Sequence, residues 1–184
     1  DHPRPRTHLD AVGAQADPVG VDARDTHPPR PPADLLERDG AASGSHDSGH
    51  GEGRLDVVTS RVPGALHEVV RGLIEGAEEH VRLTTPYFVP DPRLLRALVE
   101  AARRGVRVDV LTPRRSNWPM ANWAGRTLYP VLLDAGVRVA EHHDAMLHAK
   151  AIVVDGRVAA IGSPNFDARS FHINGEVLCL VHDP

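Results

Sequence analysis

The residues that could do chemistry are gathered around Lys150, the only lysine of the chain. His148 lies two residues before it, and Ser163 and Asn165 follow in the string HAKAIVVDGRVAAIGSPNFD. The ammonium group is a compact positive charge, and hydroxyl and amide groups are neutral hydrogen-bond donors. A histidine can serve as nucleophile or general acid–base near neutral pH. These residue types and their spacing predict a site that holds and attacks a phosphodiester.

The Asp155–Gly156 pair predicts a β-hairpin whose two strands are joined by a two-residue turn. With that turn, Val154 lies opposite Arg157. Asp155 then lies at the closed end of the hairpin. At about 3.3 Å per residue, the seven residues back to His148 span roughly 20 Å. This geometry predicts that Asp155 is a structural turn residue.

The open end of the same hairpin should carry the reactive side chains. The register places His148 opposite Ser163 and Lys150 opposite Ile161. Side chains two apart share one face of a strand, so His148, Lys150 and Ser163 should lie on one face. Asn165 follows just past the strand end, where its side chain can approach the same three groups.

Glu176 places a carboxylate in the apolar string NGEVLCLV, where a strand pattern favours burial. We interpret it as the group that orients a histidine, as carboxylates do in other catalytic triads. The alternative is a solvated carboxylate on an edge strand. A histidine nucleophile would give a phosphohistidine intermediate, and a second histidine should then protonate the leaving oxygen. This chemistry requires no metal and no organic cofactor.

The composition divides the chain into two parts. Residues 1–53 hold 7 Pro and 7 Gly and carry 5 Arg against 10 Asp and Glu, which predicts a disordered low-complexity segment. Residues 54–184 hold 16 Lys and Arg against 15 Asp and Glu and are rich in aliphatic residues, which predicts one folded domain. This near-neutral balance argues against a strongly nucleic-acid-binding surface. No apolar run reaches the roughly 18 residues that would suggest a membrane span.

Strand and helix patterns alternate over residues 54–140, which favours helical crossovers and a mainly parallel sheet in that stretch. The hairpin follows. We therefore expect an α/β domain with a mixed β-sheet flanked by helices. Asp91, with Pro92 after it, should cap one of these helices.

Two tryptophans lie in the irregular string PRRSNWPMANW. Trp118 and Trp123 follow Arg114 and Arg115 closely, a combination that could contact lipid headgroups or a nucleic-acid phosphate. Ordinary packing within the loop is the favoured interpretation.

The motif of the folded part resembles that of the phospholipase D superfamily, known as the HKD motif. Its residues are His148-x-Lys150-x4-Asp155-x6-Gly162-Ser163-x-Asn165. The strings TPYFVPDPRLLRALVEAARRGVRV, DAGVRV, GSPNFDARSF and INGE are similar to the C-terminal half of bacterial cardiolipin synthases. The resemblance covers about residues 54–184 and implies a phospholipase D-like catalytic half-domain there.

The resemblance also implies an activity and roles for named residues. The activity is phosphatidyl transfer to a second lipid, with a phosphatidylglycerol-like phospholipid as substrate. His148 and Lys150 would bind phosphate, Asn165 would complete the pocket and Glu176 would lie beside the histidine. The resemblance includes Asp155 in the catalytic motif, whereas the hairpin count gives it a structural role.

The chain departs from those synthases in holding one copy of the motif, since they carry two copies and N-terminal membrane helices. Three alternatives stay open: a homodimer, a piece whose missing first half supplies the second motif, or an inactive phosphate-binding half-domain. A homodimeric phosphodiesterase or nuclease is the second functional hypothesis, with nucleic acid the less favoured partner. We expect a cytoplasmic location or peripheral attachment to the inner face of a bacterial membrane.

Overall fold

The structure is a computed structural model that describes residues 44–45 and 54–182. Apart from Gly44–Ser45, the predicted disordered segment 1–53 lies outside the described residues. Within the described part, no helix combines the length and the apolar character that crossing a membrane requires.

The described residues form five helices and ten strands. The helices are α1 Ala65–Glu75, α2 Pro92–Arg103, α3 Pro119–Arg126, α4 Tyr129–Asp134 and α5 Ala168–His172. The strands are β1 Gly44–Ser45, β2 Arg54–Thr59, β3 His80–Thr84, β4 Phe88–Val89, β5 Arg107–Pro113, β6 Arg138–His142, β7 Ala151–Val154, β8 Val158–Gly162, β9 Phe166–Asp167 and β10 Val177–His182.

Eight of these strands form one sheet in the order β1-β2-β10-β8-β7-β3-β5-β6. The β3–β5 and β5–β6 pairs are parallel, and the other neighbouring pairs are antiparallel. The predicted mixed sheet is therefore confirmed. The sheet is less parallel than the alternating pattern of 54–140 suggests, because the β7–β8 hairpin and β10 lie between β2 and β3.

The two faces of the sheet differ in burial. One face packs beneath α1 and α2 and carries the core. Its buried strand residues include Val58, Leu83, Val110, Ile152, Ala160 and Leu180. The opposite face leaves four large apolar side chains, Leu55, Ile161, Val177 and Val181, between 40% and 52% exposed. The sheet is therefore covered well on one side only.

The β7–β8 hairpin closes through a turn that differs from the prediction by one residue. Asp155 and Gly156 have φ angles of 53° and 69°, and the Arg157 N–H donates to the Val154 carbonyl at 3.0 Å. Pairing resumes with Val154 opposite Val158, so the predicted Val154–Arg157 register is wrong.

The physical reason for the shift is the core. With Val154 facing the core, the predicted register would turn Arg157 inward and Val158 outward. Arg157 instead occupies an extra position, and Val158 and Ala160 are 4% and 1% exposed. One added residue thus lets the apolar side chains of both strands face the same side.

Asp91 begins α2 as predicted. Its Oδ1 accepts hydrogen bonds from the backbone N–H groups of Arg93 (2.8 Å) and Leu94 (3.0 Å), and Pro92 occupies the first helical position. Such a cap contributes about 1 kcal/mol to stability. It also fixes the loop that joins β3 to α2.

A charged cluster connects β3, β5 and β6. Asp109 accepts hydrogen bonds from both Arg138 and His80. Burial acts to raise the pKa of Asp109, but these hydrogen bonds and the arginine charge outweigh it and lower the pKa to about 2. The cluster therefore stabilises the parallel part of the sheet when Asp109 is ionised.

Candidate active site

The candidate site lies at the edge of the sheet where the parallel strands end. His148 and Lys150 immediately precede β7, whose first residue, Ala151, pairs with Thr84 at the carboxyl end of β3. His148 is exposed and Lys150 is partly buried. Ligands of α/β proteins bind beyond the carboxyl ends of such strands, so the position suits a binding site.

The structure brings the side chains of His148 and Lys150 together. Lys150 Nζ lies 3.4 Å from Nδ1 and 3.5 Å from Nε2 of His148, and it donates to the His148 carbonyl oxygen at 3.0 Å. An anion that approaches this corner would meet an ammonium group and an imidazole at once. This is the arrangement that binding and attack on a phosphodiester would need.

Two opposing effects act on the pKa of the Lys150 ammonium group. Burial lowers its pKa, while the negative charge of Glu176 acts in the opposite direction. Lys150 also lines a narrow cavity with Thr85, Phe166 and Phe171, which accounts for its partial burial.

Gly162 and Ser163, at the end of β8, lie against the start of the neighbouring strand β10. A Cβ atom at Gly162 would lie 2.2 Å from the Val177 carbonyl oxygen, so only glycine allows the two strands to approach. The Ser163 N–H donates to Val177 O at 3.0 Å, and the Ser163 Oγ accepts from the Val177 N–H at 3.0 Å. Lys150 lies opposite Gly162, through a Gly162 N–H to Lys150 O bond of 3.3 Å, and not opposite Ile161 as predicted. The same shift turns Ser163 to the face opposite Lys150, so the predicted pairing of His148 with Ser163 and the predicted common face are wrong. Phosphate binding by Ser163 stays a prediction.

Asn165 lies just past β8, where the sequence places it. Its Nδ2 donates to Ser170 Oγ at 3.4 Å, while Oδ1 is buried with no hydrogen-bond partner among the described residues. An amide rotated by 180° would let the Ser170 hydroxyl donate to Oδ1 and would turn Nδ2 toward the unpaired side. In that orientation Asn165 offers a donor to an anion, as its predicted role requires.

Glu176 is fixed at the start of β10. Its backbone exchanges hydrogen bonds with Ser60, from Ser60 N–H to Glu176 O and from Glu176 N–H to Ser60 Oγ, both at 3.0 Å. Its Oε1 accepts from Asn174 Nδ2 at 3.1 Å. The structure thus brings Glu176 within electrostatic reach of Lys150. Orientation of His148 by Glu176 stays a prediction.

Asp155 lies at the opposite end of the hairpin from His148. Its carboxylate accepts three backbone N–H groups, from Glu78 at 3.0 Å, Glu79 at 2.8 Å and His80 at 2.7 Å. These bonds tie the hairpin turn to the start of β3. The structure does not bring Asp155 to the His148–Lys150 pair, and its contacts are those of a structural residue.

A cleft of about 380 Å³ opens beside His148. Arg115, Asn117 and His143 line it, and the Tyr87 hydroxyl donates to Asn117 Oδ1 at 2.5 Å. The cleft is large enough for a phosphorylated headgroup beside the imidazole. It extends the site toward the loop that follows β5.

Both tryptophans of the string PRRSNWPMANW are exposed. Trp118, just before α3, is 50% exposed and Trp123, within α3, is 67% exposed. Ordinary packing within the loop stays a prediction. Trp118 contacts Tyr87 edge-on, with ring centroids 5.9 Å apart. The neighbouring Arg114 and Arg115 are exposed as well, which gives this rim a basic and aromatic character.

Sequence reasoning missed Thr85, which is 1% exposed. Its Oγ1 donates to the Tyr87 carbonyl at 3.1 Å and accepts from the Phe166 N–H at 3.1 Å. It therefore connects the loop after β3 to the segment after Asn165. A threonine at a strand end before a proline was the available signal, but its partner is 81 residues away in the chain.

A family model described as cardiolipin synthase, PLD-like domain, matches residues 70–184. The chain belongs to this family. Cardiolipin synthase A of Serratia proteamaculans (strain 568) is 39% identical over 118 residues, which are 64% of this chain and 24% of that protein. Cardiolipin synthase A of Yersinia pseudotuberculosis serotype O:1b (strain IP 31758) is 34% identical over 160 residues, which are 85% of this chain and 31% of that protein.

Solved structures share the fold of this PLD-like domain. The phospholipase D family member Nuc from Salmonella typhimurium aligns with a TM-score of 0.63 and 25% identity over 72% of this chain and 84% of that chain. The PLD-like domain is thus nearly as long as Nuc. It spans less than a third of the length of the two curated relatives that it matches.

Proposed function

We propose that this PLD-like domain transfers a phosphatidyl group from one phospholipid to the hydroxyl of a second, as in cardiolipin synthesis. The observation that carries the proposal is the contact between the His148 imidazole and the Lys150 ammonium in an open corner of the sheet. The relatives named cardiolipin synthase A support the choice of substrate, a phosphatidylglycerol-like lipid.

The reaction divides into two displacements at phosphorus. In the first, a ring nitrogen of His148 bonds to phosphorus as the P–O bond to the departing alcohol breaks. In the second, the hydroxyl oxygen of the acceptor lipid bonds to phosphorus, the P–N bond breaks and the hydroxyl proton passes to a base. Lys150 and Asn165 stabilise the negative charge on the phosphoryl oxygens.

The departing oxygen needs a proton that a nucleophilic His148 cannot supply at the same moment. A second histidine from another half-domain, which is the nucleophile if His148 is the acid, completes the reaction. Such a half-domain would also find an exposed apolar surface on this chain, on the face of the sheet opposite Lys150, formed by Leu55, Ile161, Val177 and Val181. The partner is either a second copy of this chain or a first half with its own motif.

The rim beside the cleft suits a lipid surface. Trp118, Met120 and Trp123 are at least half exposed, and Arg114 and Arg115 add positive charge. Amphipathic indole rings favour the headgroup region, and arginines attract anionic lipids. We place the domain peripherally on an anionic membrane, with this rim against the headgroups.

The test is transfer between phosphatidylglycerol molecules in vesicles, with cardiolipin measured by mass spectrometry. His148→Ala and Lys150→Ala should each abolish product, whereas His80→Gln, at the other end of β3, should retain it. Acid-labile label on the protein from a ³²P-phospholipid should appear in the wild type and disappear in His148→Ala. Transfer that survives His148→Ala would refute the proposal.

The fold shared with Nuc, a phospholipase D family member, supports a second candidate, a homodimeric phosphodiesterase or nuclease. Light scattering measures the dimer, and the relative rates on phosphatidylglycerol and single-stranded DNA separate the two activities. A dimer that cleaves DNA but makes no cardiolipin would establish the second candidate. The near-neutral net charge of residues 54–184 favours a lipid substrate over nucleic acid.

A further inference from the structure

A second cluster of chemically reactive side chains lies apart from the His148–Lys150 pair. It comprises His67 on α1, Asp91 at the start of α2 and His172 at the end of α5. The candidate ligand atoms of the three residues all lie within 4.8 Å of one another. Three elements distant in the chain thus converge on one point.

His67 is the buried member and is 2% exposed. Its Nε2 lies 2.7 Å from Asp91 Oδ2 but has no hydrogen-bond partner within the described residues. The two atoms are close enough for a hydrogen bond, but the angle at the ring nitrogen is unsuitable for one. On the other side of the ring, Nδ1 contacts Glu68 Oε1 at 3.4 Å. A proton on Nδ1 facing Glu68 leaves the lone pair of Nε2 directed into the cluster.

Asp91 directs one oxygen into the cluster because its other oxygen is occupied. Oδ1 accepts the N–H groups of Arg93 and Leu94, while Oδ2 lies 2.7 Å from His67 Nε2 and 3.6 Å from His172 Nε2. Oδ2 is therefore the carboxylate oxygen that faces both imidazole nitrogens.

The cluster opens onto a cavity of about 560 Å³ that His67, Asp91 and His172 line together with Gly64 and Glu68. The cavity gives solvent access, and His172 is 46% exposed at its mouth. There is room for water beside the three protein groups. An ion could therefore enter without displacing the core.

We propose that His67 Nε2, Asp91 Oδ2 and His172 Nε2 bind a divalent transition-metal ion of the Zn²⁺ class, with solvent as the fourth ligand. Two imidazoles and one carboxylate are a donor set that zinc accepts. At metal–ligand distances of about 2.0–2.2 Å, tetrahedral ligands lie roughly 3.3 Å apart. The two separations from Asp91, 2.7 and 3.6 Å, bracket that value, and the two histidine ligand atoms lie within 4.8 Å of each other, so side-chain movements can bring all three groups onto one ion.

The ion would brace the segment that carries Asn165. Helix α5 follows Asn165 closely, and its Ser170 Oγ accepts from Asn165 Nδ2 at 3.4 Å. Binding His172 to α1 and α2 would fix the carboxyl end of α5. None of the three ligands belongs to the His148–Lys150 corner, so zinc binding can be measured separately from phosphatidyl transfer.

The test titrates EDTA-treated, dialysed full chain with ZnCl₂ by calorimetry and with CoCl₂ by visible absorption. We expect one site per chain, with cobalt bands of four-coordinate geometry and a melting temperature that rises with zinc. His172→Ala should weaken zinc binding at least about tenfold, because it removes a ligand. Asp91→Asn should do the same while keeping a helix cap, since asparagine caps as well as aspartate.

His143→Ala, which removes an exposed histidine elsewhere, should leave the zinc titration unchanged. Zinc binding to histidines outside the described residues, such as His46 and His50, would persist in every variant. Titrations of His172→Ala and Asp91→Asn that superimpose on the wild type would therefore overturn the proposal. So would a wild-type melting temperature that zinc does not raise, because it would leave the cluster a plain histidine–carboxylate contact.

Discussion

A substitution at Asp155 distinguishes most clearly between a structural and a catalytic role for that residue. It is part of the sequence motif, yet its carboxylate accepts three backbone N–H groups at the far end of the hairpin from His148. Asp155→Ala should therefore destabilise the fold and leave the His148–Lys150 corner intact. Exposed hydrogen bonds to a charged group contribute about 1 kcal/mol each, which gives roughly 3 kcal/mol for three.

The backbone adds to that loss, because Asp155 has a φ of 53°. Alanine disfavours this left-handed conformation by about 1 kcal/mol. The expected loss is then about 3–4 kcal/mol, or roughly 12 °C in the melting temperature of a domain of this size. Asp155→Asn should lose less, about 1.5 kcal/mol, since it tolerates the conformation and keeps Oδ1 for Glu79 and His80.

Urea unfolding followed by circular dichroism measures both losses, and hydrolysis of a chromogenic phosphodiester measures the site well below the melting temperature. We expect the order wild type, Asp155→Asn, Asp155→Ala in stability and similar rates per folded molecule. A variant as stable as the wild type but without hydrolysis would refute the structural assignment.

Gly162→Ala should destabilise the fold by more than about 3 kcal/mol, because the new Cβ would lie 2.2 Å from a backbone oxygen. Gly72→Ala in α1 should instead stabilise the fold by about 0.5–1 kcal/mol, since its Cβ would meet nothing within 4 Å. Urea unfolding measures both changes. Asp109 has a folded pKa of about 2 against 3.8, so its contribution of at most about 2 kcal/mol is complete above pH 4 and is lost as pH falls toward 2. Unfolding at pH 5, 3 and 2 measures it, and Asp109→Asn should give a flatter profile. Glu176→Gln should lower the pKa of Lys150 further, because it removes the charge that opposes burial. The ¹³Cε signal of the sole lysine reports this pKa directly, and an unchanged titration would contradict the proximity of the two groups.

Local sequence patterns predicted much of the fold, because the structures that they indicate depend only on residues close together in the chain. The alternation of strands and helices over residues 54–140 and the Asp91 cap of α2 depend on residues close together in the chain, and both were predicted. The β-hairpin itself was also predicted from Asp155–Gly156. Its register was not, since a two-residue turn satisfies the local backbone equally well and the core decides between the two.

The sequence by itself determined which groups meet at the candidate site: a histidine and the only lysine two residues apart must share one side of an extended segment. Only the tertiary structure decided what surrounds them. Glu176 approaches Lys150 because β10 inserts beside β8, and Thr85 meets Phe166 across 81 residues. The same holds for His67, Asp91 and His172, which no spacing relates. Such contacts depend on how strands and helices stack, and stacking is set by burial of the whole core.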